Sequence, residues 1–322
     1  MEQGKSILER AAAAERAQPF VVPPAPAGPA SAASMLERAA ARSAEQVSRP
    51  VSFAEAQASA PADPATDPVA RAMPAPQHGP RRGQIDLARL ADRGYVTPGG
   101  SNTLIAEEFR LVKRQLLANV AARGPGAMKD ANLILVGSAM PAEGKTFCAI
   151  NLALSIAAER DLTVLLVDAD VSKPEIVTRL GLEGGPGLTD VVADRALDVG
   201  DCLIRTNVPN LTVLPAGRPH GLTTELFASE RMEDIMEEIA RRYTDRVVIF
   251  DSPPALVNSA ASVLATRVGQ VVFVVAAEMT KESELKEGLA LMSGCPNVQL
   301  LLNRSRFFPA GRRFAATDYY PA

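Results

Sequence analysis

Short apolar runs alternate with segments of helical periodicity over most of the chain after about residue 130. Runs of four or five apolar residues, rich in β-branched side chains, are typical of strands buried on both faces of a sheet. The intervening segments repeat apolar residues at three- and four-residue spacing, as amphipathic helices do. This alternation predicts an α/β fold with a mostly parallel sheet wound with helices. The predicted strands are residues 133–136, 163–167, 211–214, 247–250, 271–275 and 298–302.

The same pattern predicts three longer helices, at residues 102–121, 146–159 and 224–243. On the first of them, Glu107, Arg110 and Lys113 follow one another at three-residue intervals on the polar side. A solvated charged face explains this arrangement. A contact between subunits explains it equally well, since both signs of charge are offered on one surface.

The two ends of the chain differ from this region in composition. Residues 1–80 contain about half of the 25 prolines, much alanine and few large apolar residues, so they cannot bury enough surface to fold alone. We predict that this segment is disordered and that the folded domain spans residues 84–303. The tail at residues 304–322 shows little periodicity and is predicted to be mobile.

Composition narrows the possible classes of function. A formal net charge of −3 gives no global basic field, so nucleic acid is not expected as a partner. Three widely spaced cysteines and two histidines offer no metal or disulfide framework, which fits a reducing cytoplasm. No apolar run approaches the roughly 20 residues of a membrane span, and the first residues lack a signal-peptide core, so a membrane role would require a partner.

The most informative stretch is NLILVGSAMPAEGKTF at residues 132–147, where a strand, a loop of small residues and a helix follow one another. Gly144, Lys145 and Thr146 end the loop. Backbone N–H groups and the positive end of a helix can surround a phosphate, the lysine can reach its β and γ oxygens, and the threonine hydroxyl can bind Mg²⁺. The pattern G-x-x-x-x-G-K-[ST] is incomplete, because Ala139 replaces its first glycine. The stretch nevertheless predicts a phosphate-binding loop.

Polar residues follow three further predicted strands: Asp168 with Asp170, then Asp251, then Asn303. Ligands of open parallel sheets bind beyond the carboxyl ends of the strands, so we expect these residues to lie beside the phosphate loop. Asp251 and Asp170 are candidates for holding Mg²⁺, and Asp168 can orient or deprotonate an attacking hydroxyl. The sequence does not divide these roles between Asp168 and Asp170. Asn303 can bind an adenine edge or simply begin a turn.

Three stretches, SAMPAEGKTF, VLLVDADVSKP and VVIFDSPP, resemble the Walker A, A′ and B motifs of bacterial tyrosine kinases, which are relatives of the MinD/ParA ATPases. The helix EEFRLVKRQLL resembles the oligomerisation motif E-x-x-R-x-x-R of that family. The match spans about residues 84–304 and is closest to the exosortase-associated tyrosine autokinases of exopolysaccharide operons. It implies a doubly wound α/β sheet with the P-loop NTPase fold.

The resemblance also implies an activity and its partners. The chain would be a protein-tyrosine autokinase that uses ATP and Mg²⁺, regulates exopolysaccharide synthesis, export or chain length, and phosphorylates Tyr319 and Tyr320. It would form a homo-oligomer through Glu107, Arg110 and Lys113. It would lie in the cytoplasm, peripherally at the inner membrane, where a polysaccharide co-polymerase activates it. The implied catalytic residues are Lys145, Asp168, Asp170 and Asp251, and the implied ATP contacts are Ala142, Glu143, Gly144, Lys145, Thr146, Phe147 and Asn303.

The sequence departs from the family pattern in three places. Ala142 replaces a glycine, so the loop must adopt a conformation that glycine reaches more easily. Ser172 replaces an arginine of the A′ motif, and the tyrosine cluster has only two members. Two other functions stay open: a MinD/ParA-like ATPase switch and a nucleotide-binding scaffold without turnover. Met140 argues against the switch, because the MinD/ParA loop carries an extra lysine at that position.

Overall fold

An eight-stranded sheet forms the centre of the structure, a computed structural model that describes residues 81–305 except 101, 222 and 243–245. The strands are β1 (Arg81–Gly83), β2 (Leu133–Ser138), β3 (Thr163–Asp168), β4 (Ile204–Thr206), β5 (Leu211–Leu214), β6 (Arg246–Asp251), β7 (Gln270–Ala276) and β8 (Val298–Asn303). Their spatial order is β1-β4-β5-β3-β6-β2-β7-β8. Every neighbouring pair is parallel except β4 with β5. The predicted mostly parallel sheet is confirmed.

Helices cover both faces of this sheet, because the central strands bury apolar side chains on both sides. On β2, Leu133 and Leu135 enter one core while Ile134 and Val136 enter the other. This period of two explains why the central strands read as continuous apolar runs. The helices are α1 (Leu87–Asp92), α2 (Leu104–Ala121), α3 (Lys145–Ala157), α4 (Ile176–Leu180), α5 (Leu188–Ala193), α6 (Val199–Cys202), α7 (Thr223–Ala228), α8 (Glu230–Arg242), α9 (Ala260–Ala265) and α10 (Glu282–Leu291).

The two faces carry different helices. Helices α2 and α3 contribute Phe109, Leu116 and Ile150 to one core. Helices α7 and α8 contribute Phe227 and Ile235 to the other. The doubly wound arrangement is therefore confirmed.

The single helix predicted at residues 224–243 is wrong, since two helices, α7 and α8, occupy this region. Ser229 lies between them. Its hydroxyl donates to the carbonyl of Leu226 at 2.6 Å and accepts from the N–H of Met232 at 3.2 Å. A serine that ends one helix and caps the next offers the backbone an alternative to a continuous helix.

Several predictions concern residues that the structure does not describe. The disordered segment predicted at residues 1–80 lies outside the described residues, as do Tyr319, Tyr320 and the tail beyond residue 305. Within the described part of the chain, no helix combines the length and apolar character that crossing a bilayer requires.

Candidate active site

The phosphate loop lies at the carboxyl edge of the sheet, between β2 and α3. Asp251 at the end of β6 pairs in register with Val136 of β2 and with Asp168 of β3. At the other side, Asn303 at the end of β8 pairs with Ala276 of β7. The structure thus places the predicted strand-end residues on one edge together with the loop, as the parallel arrangement of these strands requires.

The loop contains two residues in the left-handed region, Ala142 with φ of 66° and Gly144 with φ of 98°. Gly144 is the N-cap of α3. A Cβ atom on Gly144 would lie 2.2 Å from Nδ2 of Asn303, so a side chain cannot be placed there without displacing the asparagine. The costly conformation predicted for Ala142 is confirmed. A left-handed residue followed by a helical one turns successive N–H groups toward one point, which suits an anion.

A cavity of about 570 Å³ opens over this loop. A volume of this size falls in the range of small-molecule sites. Phe147, one of its lining residues, packs on Tyr95 with 4.9 Å between ring centroids. The lining residues are Pro141, Ala142, Gly144, Lys145, Thr146, Phe147, Asp170, Ser172, Lys173, Glu175, Arg179, Pro254, Val257, Asn303 and Arg304.

Lys145 is held by an ion pair inside this cavity. Its Nζ lies 2.7 Å from Oδ2 of Asp170, and both side chains are largely buried. Burial alone would lower the pKa of Lys145, but the carboxylates of Asp251 and Asp170 outweigh that effect and raise the pKa. The lysine is therefore a fixed positive charge at the point where phosphate oxygens would arrive.

Asp168 is fully buried and is not among the residues that line the cavity. Its carboxylate accepts hydrogen bonds from the backbone N–H groups of Ile176 at 3.1 Å and Asp170 at 3.3 Å. Burial, with a further contribution from the charge of Asp251, raises the pKa of Asp168 to about 8. Asp170, in contrast, lines the cavity and also accepts from the hydroxyl of Ser172 at 2.8 Å. Of these two carboxylates, Asp170 is the one that faces the cavity.

Asp251 differs from Asp168 and Asp170 in the hydrogen bonding of its carboxylate. It is buried, and neither of its oxygens makes a hydrogen bond of normal geometry within the described part of the chain. Burial raises the pKa of Asp251 to about 6, against the opposing influence of Lys145 and of the nearby Thr146 hydroxyl. Buried carboxylate oxygens without donors are costly unless a cation binds them.

These residues fit a magnesium site. No cluster of three or more His, Cys, Asp or Glu side chains suited to a metal occurs among the described residues. Magnesium in nucleotide sites does not need one, since it binds through one or two carboxylates together with substrate phosphates and water. The buried oxygens of Asp251, which make no hydrogen bond of normal geometry, and the nearby Thr146 hydroxyl would form the protein side of such a site.

Two predicted nucleotide contacts have other partners in the structure. The side chain of Glu143 is buried, accepts from the N–H of Met140 at 2.8 Å and is hydrogen-bonded to the hydroxyl of Thr280. The Nδ2 of Asn303 donates to the carbonyl of Glu143 at 2.9 Å. The side chain of Glu143, for which an ATP contact was predicted, therefore has partners within the protein. Thr280 could not be found from the sequence, because it lies 137 residues from Glu143 and belongs to no motif.

The predicted charged face of α2 needs a correction. Glu107 and Arg110 are partly exposed and form an ion pair. Lys113 is buried instead: its Nζ donates to the carbonyl of Ser155 at 2.7 Å and lies 2.6 Å from a carboxylate oxygen of Glu159. The long lysine stem can cross apolar surface while the ammonium reaches these acceptors beside α3. The outer surface of α2 includes Leu104 and Leu111, which are 39% and 48% exposed.

Comparison with known proteins places this site in context. A family model described as an AAA domain matches residues 134–291. The chain is 31% identical over 204 residues to the tyrosine-protein kinase YwqD of Bacillus subtilis (strain 168), covering 63% of this chain and 81% of YwqD. It is 34% identical over 165 residues to the putative tyrosine-protein kinase EpsB of Ralstonia nicotianae, covering 50% of this chain. It spans only 21% of the length of EpsB.

Solved structures share the fold. The chimerical protein CapA2B2 aligns with a TM-score of 0.57 at 26% identity, over 70% of this chain and 95% of that chain. The kinase domain of the Escherichia coli tyrosine kinase ETK aligns with a TM-score of 0.54 at 20% identity, over 72% of this chain and 94% of that domain. The second similarity concerns the fold alone.

Proposed function

Because this chain belongs to the bacterial tyrosine-protein kinase family, we propose that it is an ATP-dependent protein-tyrosine autokinase that regulates exopolysaccharide synthesis, export or chain length. The observation that carries this proposal is a cavity above a phosphate loop that Lys145, Thr146 and Asp170 line, with the buried carboxylate of Asp251 close to Lys145 and Thr146. The polysaccharide role rests on the resemblance to exosortase-associated autokinases. That resemblance also supports a homo-oligomer activated by a co-polymerase of the inner membrane.

The residues of the cavity have distinct tasks in this proposal. Lys145 exchanges Asp170 for the β and γ oxygens of ATP, which carry more negative charge. Thr146 and Asp251 would hold Mg²⁺. When bound there, Mg²⁺ would supply positive charge against the negative charge that develops during phosphoryl transfer.

Transfer requires an acceptor for the tyrosine proton. As the phenolic oxygen bonds to the γ phosphorus, the bond from that phosphorus to the β–γ bridging oxygen breaks and ADP leaves. Asp170 is suited to take the phenolic proton, since it lines the cavity. Asp168 acts by accepting a hydrogen bond from the backbone N–H of Asp170, which holds that residue in place. The proposal thus assigns proton acceptance to Asp170 and orientation to Asp168, two residues whose roles the sequence left interchangeable.

We further propose that Tyr319 and Tyr320 accept phosphate and that a neighbouring subunit supplies it. Asn303 stands at the edge of the cavity, and the 16 residues from there to Tyr319 can span up to about 50 Å when extended. Reach therefore does not limit the reaction. A partner subunit eases the in-line approach that the transfer demands.

The test begins with purified protein, Mg-ATP and detection of phosphotyrosine, with Lys145→Ala as the inactive control. Mixing Lys145→Ala chains that keep their tyrosines with Tyr319→Phe/Tyr320→Phe chains that keep their loop then shows the direction of transfer. Phosphate on the Lys145→Ala chains supports transfer between subunits, whereas label on the double phenylalanine chains contradicts the assigned acceptors. ATP hydrolysis without phosphotyrosine would indicate the MinD/ParA-like switch, and nucleotide binding without either would indicate a scaffold.

A further inference from the structure

Glu143 is a buried charged residue in the middle of the phosphate loop, and its partners come from two distant segments. We propose that Thr280 and Asn303 are positioning residues that hold the phosphate loop in its nucleotide-binding shape. Thr280 forms a hydrogen bond with the side chain of Glu143, and Asn303 forms one with its backbone carbonyl. This inference rests on the nucleotide binding that the proposed function requires, but not on kinase turnover.

The first set of hydrogen bonds holds the side chain of Glu143. One carboxylate oxygen accepts the N–H of Met140 at 2.8 Å, which closes the loop on itself. The other is hydrogen-bonded to the Thr280 hydroxyl. Hydrogen bonds to a carboxylate are among the stronger ones in proteins, so this buried group can tie the loop to another element.

The geometry around Thr280 fixes the direction of that bond. The N–H of Ala276 donates to the Thr280 hydroxyl oxygen at 3.0 Å. A backbone N–H can only donate, so the hydroxyl hydrogen is available for Glu143. The N–H of Thr280 also donates to the carbonyl of Ala276 at 3.0 Å. Thr280 is thus anchored by two hydrogen bonds to the last residue of β7.

A second hydrogen bond holds the backbone of Glu143. The Nδ2 of Asn303 donates to the Glu143 carbonyl at 2.9 Å, and its Oδ1 accepts from the N–H of Arg304 at 2.9 Å. Asn303 lies beside Ala276 in the register of β7 and β8. The Asn303 carbonyl also accepts from the N–H of Ala277 at 2.9 Å. Thr280 and Asn303 are therefore both anchored at the neighbouring ends of β7 and β8.

The loop needs such support because of its backbone conformation. Ala142 and Gly144, the two neighbours of Glu143, both have positive φ, and Ala142 reaches that region only at a cost. Strained conformations persist where surrounding contacts over-determine them. Fixing Glu143 on both sides determines the turn between these two residues. Without the hydrogen bonds from Thr280 and Asn303, the N–H groups of the loop that receive phosphate would no longer point in a common direction.

Thr280 gives the cleaner test, because it does not line the cavity whereas Asn303 does. In Thr280→Val the shape is kept and the hydroxyl is lost, so we expect the Kd for Mg-ADP, measured by calorimetry, to rise roughly 10- to 100-fold. Thr280→Ser keeps the hydroxyl and should bind within a few-fold of the parent. Thr266→Val is the matched control: it removes a hydroxyl bond to the carbonyl of Val263 at the end of α9 and should leave the Kd unchanged.

A second measurement separates positioning from general stability. Amide hydrogen exchange in Thr280→Val should become faster in residues 139–147 while exchange in α2 stays as in the parent. Equal Kd values for the Val variant and the parent, or equal losses in the Val and Ser variants, would overturn the proposal. So would uniformly faster exchange. A parent protein that binds Mg-ADP but forms no phosphotyrosine would refute the kinase function and leave this inference standing.

Discussion

Replacing Ala142 by glycine should stabilise the protein, although the same substitution is destabilising at most positions. An L-residue in the left-handed region costs about 1–2 kcal/mol, and Ala142 has φ of 66°. Glycine avoids this cost but raises the entropy of the unfolded chain, which costs about 0.4–1 kcal/mol. Ala142 is exposed, so little packing is lost. The balance favours Ala142→Gly by roughly 0.5–1 kcal/mol, or about 1–4 °C in Tm.

The assay is urea unfolding of the nucleotide-free protein, followed by circular dichroism, with Ala158→Gly as the matched control. Ala158 is also exposed, but it is the C-cap of α3 with φ of −74°, where alanine is unstrained. There the substitution should destabilise by about 0.5–1 kcal/mol. If both glycine variants lose stability to a similar extent, the backbone conformation of Ala142 carries no strain.

Two further predictions concern pH and assembly. Burial raises the pKa of Asp168 from its usual 3.8 to about 8 in the folded protein. Between these two pH values the folded protein keeps a proton that the unfolded chain has lost. The free energy of unfolding should therefore fall from pH 6 to pH 8, by up to about 1.4 kcal/mol per pH unit. Urea titrations should show this slope in the nucleotide-free parent and a flatter one in Asp168→Asn, and equal slopes would contradict it. The double substitution Glu107→Arg/Arg110→Glu preserves the ion pair between these positions but exchanges the places of the positive and negative charge on the surface of α2. If this face is a subunit contact, sedimentation should show that the oligomer dissociates. Lys113→Met should instead lower folding stability by roughly 1–2 kcal/mol and leave the assembly unchanged, since Lys113 is buried against Ser155; a dispersed Lys113→Met protein would restore it to the interface.

Much of the fold could be predicted because the information is local. The apolar run at residues 211–214 coincides with β5, and the other five predicted strands differ from the observed ones by one or two residues at one end or by one residue at both ends. The gathering of Asp168, Asp251 and Asn303 on one edge followed from the parallel sheet alone. The strained backbone at Ala142 could be predicted only through the family resemblance, because the family has a glycine at that position and glycine reaches this conformation more easily.

Other features depended on the tertiary structure. Strands β1 and β4 have three residues each, too few to show a period, and only the sheet reveals that β4 runs antiparallel to β5. Lys113 has the sequence pattern of a surface lysine, yet a carbonyl 42 residues away accepts its hydrogen bond in the interior.

The bond between Thr280 and Glu143 shows the same limit more clearly. Periodicity along the chain records which side of an element is buried, so the sequence by itself determined the strands, the main helices and the edge that carries the site. The partner of a polar side chain depends on which distant backbone group packs within about 3 Å of it, and only the assembled sheet and helices decide that.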